Sequence, residues 1–194
     1  APTYLHVHVT TVADSTRHSV RVTSAPVDAD GESGWREHAT MTVGRETSVE
    51  GAASVPTAAV AMSRCTTPMD TAAFYERLSR GGLGFGDVFR GLRDLAVGPT
   101  EAIGRIQLPD GALTSGERWV LHPALLDACF HVIGARLDAE RVTDGPDAVF
   151  LPIGIDCVTL LRAAPAELRC VAVLRAMDNP SSGLRAVSYT HLRA

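Results

Sequence analysis

Aromatic residues make up only 5% of this 194-residue sequence, too few for the stacking platforms that bind single-stranded nucleic acid. Neither sign of charge dominates. Eighteen Lys and Arg against 22 Asp and Glu leave a net charge of −4, which supplies no electrostatic footprint for nucleic acid or an anionic membrane. No apolar run approaches a membrane span, and no basic segment followed by an apolar one opens the chain, so neither a membrane helix nor a secretory leader is read. The four cysteines, Cys65, Cys129, Cys157 and Cys170, show neither zinc-ligand spacing nor a C-x-x-C pair. Cys129 falls in a helical pattern and Cys157 and Cys170 in strand-like runs, so buried free thiols in a reducing compartment are expected. A cytoplasmic protein is the simplest expectation.

What is present suits a globular protein. Hydrophobic residues at 45% allow a real core, and the length suits one domain, or one domain and part of another. Residues 1–44 alternate with a period of two: Leu5, Val7 and Val9 against His6 and His8, Val20 and Val22 against Arg21 and Thr23, then Trp35, Ala39, Met41 and Val43. Asp14-Ser15 and the 28–34 cluster supply turns. A meander that begins at once in a strand reads as the end of a domain, so a fragment is expected. His6 and His8 share a strand face and with His18 or His38 would be candidate metal ligands. No carboxylate or cysteine completes the set, so no metal is expected. His38, in WREHAT, is expected to be a structural hydrogen-bonding residue.

Residues 45–69 shift to Ala, Ser, Thr, Val and Pro without an aromatic residue and read as an extended linker laid over the surface. Asp70 or Thr71 then caps a short helix containing Phe74, Tyr75 and Leu78. It runs into GGLGFGDVFRGL, residues 81–92. No Lys-Ser/Thr follows and no strand precedes this glycine-rich stretch, so a nucleotide P-loop is excluded in favour of a tight turn and pocket wall around Phe85, Gly86 and Phe89. A hairpin is expected over 92–97 and 102–108 around Gly98-Pro99, ended by Pro109-Asp110-Gly111 and followed by a polar loop. After the helix described next, 140–147 reads as a loop, 149–161 and 168–177 as strands, and Asp178-Asn179-Pro180 with Gly183 as a turn. One long helix among antiparallel strands predicts an α+β fold in which a sheet wraps the helix.

That helix spans 121–138, LHPALLDACFHVIGARLD. Pro123 suits its first position, where a missing N–H loses no partner, and His122 falls just outside. At about 100° per residue, Leu126, Phe130, Ile133 and Leu137 fall on one side, flanked by Cys129 and widened by Leu125 and Val132. Ala124, Asp127, His131 and Gly134 share the other, where small residues leave room for a ligand. Asp127 and His131, at i and i+4, can touch. A water-exposed ion pair is the commoner outcome of that spacing alone. Against it stand the apolar and small neighbours, among which a carboxyl group is more easily kept protonated, as general-acid chemistry at neutral pH requires.

Four stretches, in order, resemble one family, the dehydratase domain of modular type I polyketide synthases, of bacterial type. WREHAT resembles the W-x-x-H-A ending of its first half, YERLSRGGLGFGDVFRGL its Y-x-x-L and G-x-x-Y-G-P-x-F segment, HPALLDACFH its HPALLDA active-site helix, and LPIGID its LPxG strand. The resemblance covers residues 35–161. It implies a double hotdog, with 1–44 as closing strands of the first unit, 45–69 as linker and 70–186 as an incomplete second unit. It implies dehydration of a β-hydroxyacyl thioester on an acyl carrier protein to the α,β-enoyl thioester in polyketide biosynthesis. Asp127 matches the aspartate that protonates the departing hydroxyl, and His131 the Gln/His position that hydrogen-bonds it. Phe85, Gly86, Phe89, His122, Pro123, Leu151 and Pro152 would line the substrate pocket. No organic cofactor or metal is required, since the substrate rides on the phosphopantetheine arm of the carrier. The carrier protein, the other domains of the synthase and a homodimer through the parent are the implied partners.

The chemistry needs a base for the α proton, an acid for the hydroxyl and a donor for the thioester oxygen, such as a helix N-terminus or backbone amide. The family's base lies in H-x-x-x-G-x-x-x-x-P, which does not occur here; its tyrosine is Phe85 and its following proline Asp87. The chain alone is therefore expected to be inactive. Two alternatives stay open: a catalytically inactive dehydratase-like domain serving structure or carrier docking, and a hotdog thioesterase, which leaves the linker and LPIGID without a place. The last residues, VSYTHLRA (187–194), back-translate to GTC TCT TAT ACA CAT CTC CGA GCC, resembling a transposon-derived sequencing adaptor; a true final strand is the alternative, as Val, Tyr and Thr favour β-structure.

Overall fold

The period of two over the first residues does make strands in the computed structural model, which describes residues 3–13, 15–27, 34–45, 56–112, 118–139, 149–175 and 185–191. The chain divides into two compact units, 1–53 and 54–194. In the first, β1 (Thr3–Thr11), β2 (Arg17–Pro26) and β3 (Arg36–Gly44) form an antiparallel meander in that order. Val7 pairs with Val22 and Val9 with Val20, while Val20 pairs with Met41, so one face is apolar. A register shift sits between Val22 and Thr23. The four histidines do not converge: His6 packs on Trp35 with centroids 4.1 Å apart and meets His8 edge-on, His18 reaches Thr11, and His38 Nε2 lies 2.6 Å from Ser24 Oγ, the structural role expected of it. Of the predicted turns in this unit, Asp14 and residues 28–33 lie outside the described residues.

The second unit begins with a correction. Residues 45–69 were expected to be extended, yet α1 (Ala58–Arg64) is a helix, capped by Thr57 Oγ1, which accepts the Val60 N–H. Alanine-rich sequence without aromatics suits a helix with a small buried face as well as it suits a linker. Ala61 is fully buried against Ile103 and Val171. β4 (Thr67–Pro68) then pairs with β5.

Asp70 caps α2 (Thr71–Arg80), its Oδ1 accepting the N–H groups of Ala72 and Ala73; the helix contains Phe74, Tyr75 and Leu78 as expected, and all three are buried. The helix ends in a Schellman arrangement: Gly82 takes φ +88°, its N–H reaches Ser79 O, and Leu83 N–H reaches Leu78 O. β5 (Leu92–Val97) and β6 (Glu101–Gln107) form the hairpin expected around Gly98-Pro99. β7 (Glu167–Arg175) and β8 (Arg185–His191) complete an antiparallel sheet ordered β4-β5-β6-β7-β8. Val187, Tyr189 and Thr190, in the tail matched to an adaptor, thus take β conformation.

Strand alternation puts Ala102, Gly104 and Ile106 on one sheet face and Ile103 on the other. The first face receives α3 (Pro123–Ala139) and the second α1, which closes an α+β unit with its main core between α3 and the sheet. Here a second correction enters. The deepest stripe of α3 is Leu125, Ala128, Cys129, Val132 and Ala135; of the four residues expected to lead, Leu137 is buried, whereas Leu126, Phe130 and Ile133 are half-buried. Gly104 explains the orientation, since it brings Val132 onto the sheet: a Cβ there would lie 2.6 Å from Val132 Cγ2 and 2.8 Å from Leu92 Cδ1.

A third correction concerns 149–161, expected as a strand. It has no regular structure and exposes Leu151, Ile153, Ile155 and Leu161. An apolar run becomes a strand only where a sheet edge accepts its hydrogen bonds, and both long sides of β6 and β7 are already paired. Cys157, in this segment, is exposed, against the expectation of burial; Cys65, Cys129 and Cys170 are buried thiols outside any disulfide. Residues 140–147 and the 178–183 turn lie outside the described residues. Burial pushes the Cys65 thiol up to about 11, and contact with the Cys170 thiol together with burial pushes Cys129 up. Brief alkylation near neutral pH is therefore expected to label Cys157 first, read by peptide mass spectrometry; equal labelling of Cys129 would contradict the packing of α3.

Candidate active site

The site is built on the first three turns of α3. Pro123 opens the helix and lacks an N–H. His122, directly before it, closes the rest of the first turn: its Nδ1 accepts the Ala124 N–H at 3.1 Å, and its carbonyl accepts those of Leu125 and Leu126. The ring proton is therefore on Nε2, 3.1 Å from Ala112 O. A buried histidine thus serves as N-cap. The N–H groups of Ala124, Leu125 and Leu126 at this helix start are therefore already engaged. His122→Ala should destabilise the unit by about 0.5–2 kcal/mol in urea unfolding, with Asn restoring part of it; no loss with Ala would remove the capping role.

Asp127 and His131 project from the next turns, and the structure brings them together: His131 Nε2 is 3.1 Å from Asp127 Oδ2. His131 is 5% exposed and the Asp127 side chain 34%, so the pair is not the water-exposed ion pair that spacing alone favoured. Both facing atoms are buried and no hydrogen bond is aligned between them. The exposed third of Asp127 consequently belongs to the rest of its side chain.

The small residues read as room for a ligand instead admit aromatic rings of the chain. Phe74 lies over Gly134. Phe85 packs edge-on against His131, centroids 4.3 Å apart, and Tyr75 packs perpendicular to it at 5.4 Å. Tyr75 OH is 3.2 Å from His131 Nδ1 and accepts the Leu92 N–H at 3.3 Å. Arg90 lies over the Tyr75 ring, 5.0 Å from its centroid, and Arg77 ties α2 to Asp138 of α3 at 2.8 Å.

Of the other predicted pocket residues, Gly86 precedes a short 3-10 turn, Asp87–Phe89, and Gly86 and Phe89 are exposed. Pro123, Leu151 and Pro152 are exposed as well. Sequence reasoning missed Tyr75 as a member of the site, because 56 residues separate it from His131 and no local spacing connects them.

Comparison with known proteins follows the same outline. A family model described as the polyketide synthase dehydratase N-terminal domain matches residues 53–190. The chain is 36% identical over 139 residues to the polyketide synthase GfsA of Streptomyces halstedii, and 34% identical over 134 residues to the pikromycin polyketide synthase component PikAII of Streptomyces venezuelae. These alignments cover 70% and 66% of this chain but only 2% and 3% of those proteins. In fold it resembles the dehydratase domain from the CurJ module of curacin polyketide synthase, with a TM-score of 0.74 at 22% identity, over 97% of this chain and 62% of that one. The CurK dehydratase domain is matched with the same TM-score over 93% of this chain.

Proposed function

Since the chain belongs to the polyketide synthase dehydratase family, we propose that its site takes part in loss of water from a β-hydroxyacyl thioester, giving the α,β-enoyl thioester. Asp127 is the general acid that protonates the hydroxyl as the C–O bond breaks, and His131 holds Asp127 in place. The observation that carries this reading is the buried contact of His131 with Asp127 on α3, inside the matched segment. The α proton goes to a base that no H-x-x-x-G-x-x-x-x-P motif of this sequence supplies. The chain therefore contributes the acid half of the site and is inactive alone.

We assign 1–44 to closing strands of a first hotdog, 45–69 to the junction and 70–186 to the second. A long helix packed on an antiparallel sheet supports the latter. The matched model is described as an N-terminal domain, and a structure of the whole parent domain decides between the assignments. An acyl carrier protein and neighbouring synthase domains are the partners, in the cytoplasm. The reading is tested by following enoyl formation from a β-hydroxyacyl carrier substrate in a protein joining this chain to its base-bearing segment; no product sinks it. Phe85, which has no hydroxyl, and Asp87, which places a charge in the glycine-rich segment, favour a second reading, an inactive dehydratase-like domain that docks the carrier. Carrier binding without turnover would select it.

A further inference from the structure

Tyr75 is 5% exposed, and its oxygen touches two groups that the proposed mechanism leaves unused: the Leu92 N–H and His131 Nδ1. A backbone N–H can only donate, so toward Leu92 the phenol oxygen accepts. Its single proton then has one acceptor among the described contacts, His131 Nδ1. Were Nδ1 protonated instead, the phenol oxygen would receive two donors and its own buried O–H would be left without an acceptor, which is costly. Burial raises the phenol's pKa, outweighing the Leu92 N–H and the nearby Arg90 charge, so the group remains a donor.

We propose that Tyr75 is a positioning residue: it fixes His131 as the neutral tautomer whose proton sits on Nε2, the nitrogen 3.1 Å from Asp127 Oδ2, and thereby leaves Asp127 Oδ1 to carry the acid proton. Leu92 N–H donates to Tyr75 O and Tyr75 O–H to His131 Nδ1, which leaves the ring proton on Nε2, in contact with Asp127 Oδ2 at 3.1 Å. Phe85 and Tyr75 grip the imidazole ring from two sides and limit its rotation. The assignment of Oδ1 rests on the general-acid reading of Asp127; the tautomer does not.

Long-range proton–nitrogen NMR of the 15N-labelled chain reads the tautomer, with the His131 signals identified by their loss in His131→Gln. The expected result is Nε2–H in the wild type and a mixture of tautomers in Tyr75→Phe, which keeps the ring. Nδ1–H in the wild type, or an unchanged tautomer in the variant, overturns the proposal. If Tyr75→Phe loses its amide dispersion, the wild-type tautomer decides by itself. In the protein completed with its base-bearing segment, Tyr75→Phe should lower kcat about tenfold at unchanged KM, the scale of a lost orienting contact; unchanged kcat overturns the positioning role. The spectra need no substrate, so a wild type without turnover overturns the dehydratase reading alone.

Discussion

Asp127→Asn, placed in a dehydratase that contains this chain and its base, is expected to abolish enoyl product. The substitution is nearly isosteric, so the packing of α3 against the sheet stays as it is. An amide cannot supply a proton to a departing hydroxyl near neutral pH, and loss of a positioned general acid costs on the order of 10²–10⁴ in rate. The assay follows conversion of a β-hydroxyacyl carrier substrate by mass spectrometry, with urea unfolding as the control for folding. His131→Gln should retain more activity than the aspartate variant, since a glutamine N–H can also face Oδ2. Turnover in Asp127→Asn at the wild-type rate would remove Asp127 from the mechanism, whatever the family.

The second large effect concerns stability and comes from a residue with no chemistry. Gly104→Val should destabilise the second unit by about 1–3 kcal/mol, although valine is the better strand former. Gly104 lies in the middle of β6, paired with Leu95 and Cys170, directly beneath Val132. A Cβ there would already stand 2.6 Å from Val132 Cγ2, so the helix must lift or the strand must bend. Lifting α3 would also move His131, the neighbour of Val132, and so lower activity together with stability. Gly104→Ala combined with Val132→Ala should recover much of the loss relative to Gly104→Ala with Val132 intact, as a double-mutant cycle in urea would show. Additive losses would place the strain elsewhere.

Several parts of this protein were legible because they are local. Alternation gave the three strands of the first unit, Asp70 announced α2, and Pro123 marked the start of α3. The i, i+4 spacing of Asp127 and His131 made their contact foreseeable. Other readings failed where one-dimensional pattern was ambiguous. Apolar residues run nearly all round α3, so periodicity could not choose between the Leu126 and Leu125 faces. Helix 58–64 and the irregular 149–161 segment show the same ambiguity in composition, which does not reveal whether a surface or a sheet edge is present to receive a segment.

By itself, then, the sequence determined the strands of the first unit, α2, the β5–β6 hairpin and α3, and that an acid and an imidazole sit one turn apart on a helix, since capping, turn chemistry and spacing act over a few residues. Only the tertiary structure decided that His131 and the Asp127 oxygen facing it are buried. It turned α3 by seating Val132 over Gly104, filled the small-residue face with Phe74, Tyr75 and Phe85, and brought a phenol 56 residues away to His131. Those outcomes depend on which side chains meet across elements, and such meetings are set by complementary volumes and hydrogen-bonding partners that local sequence does not contain.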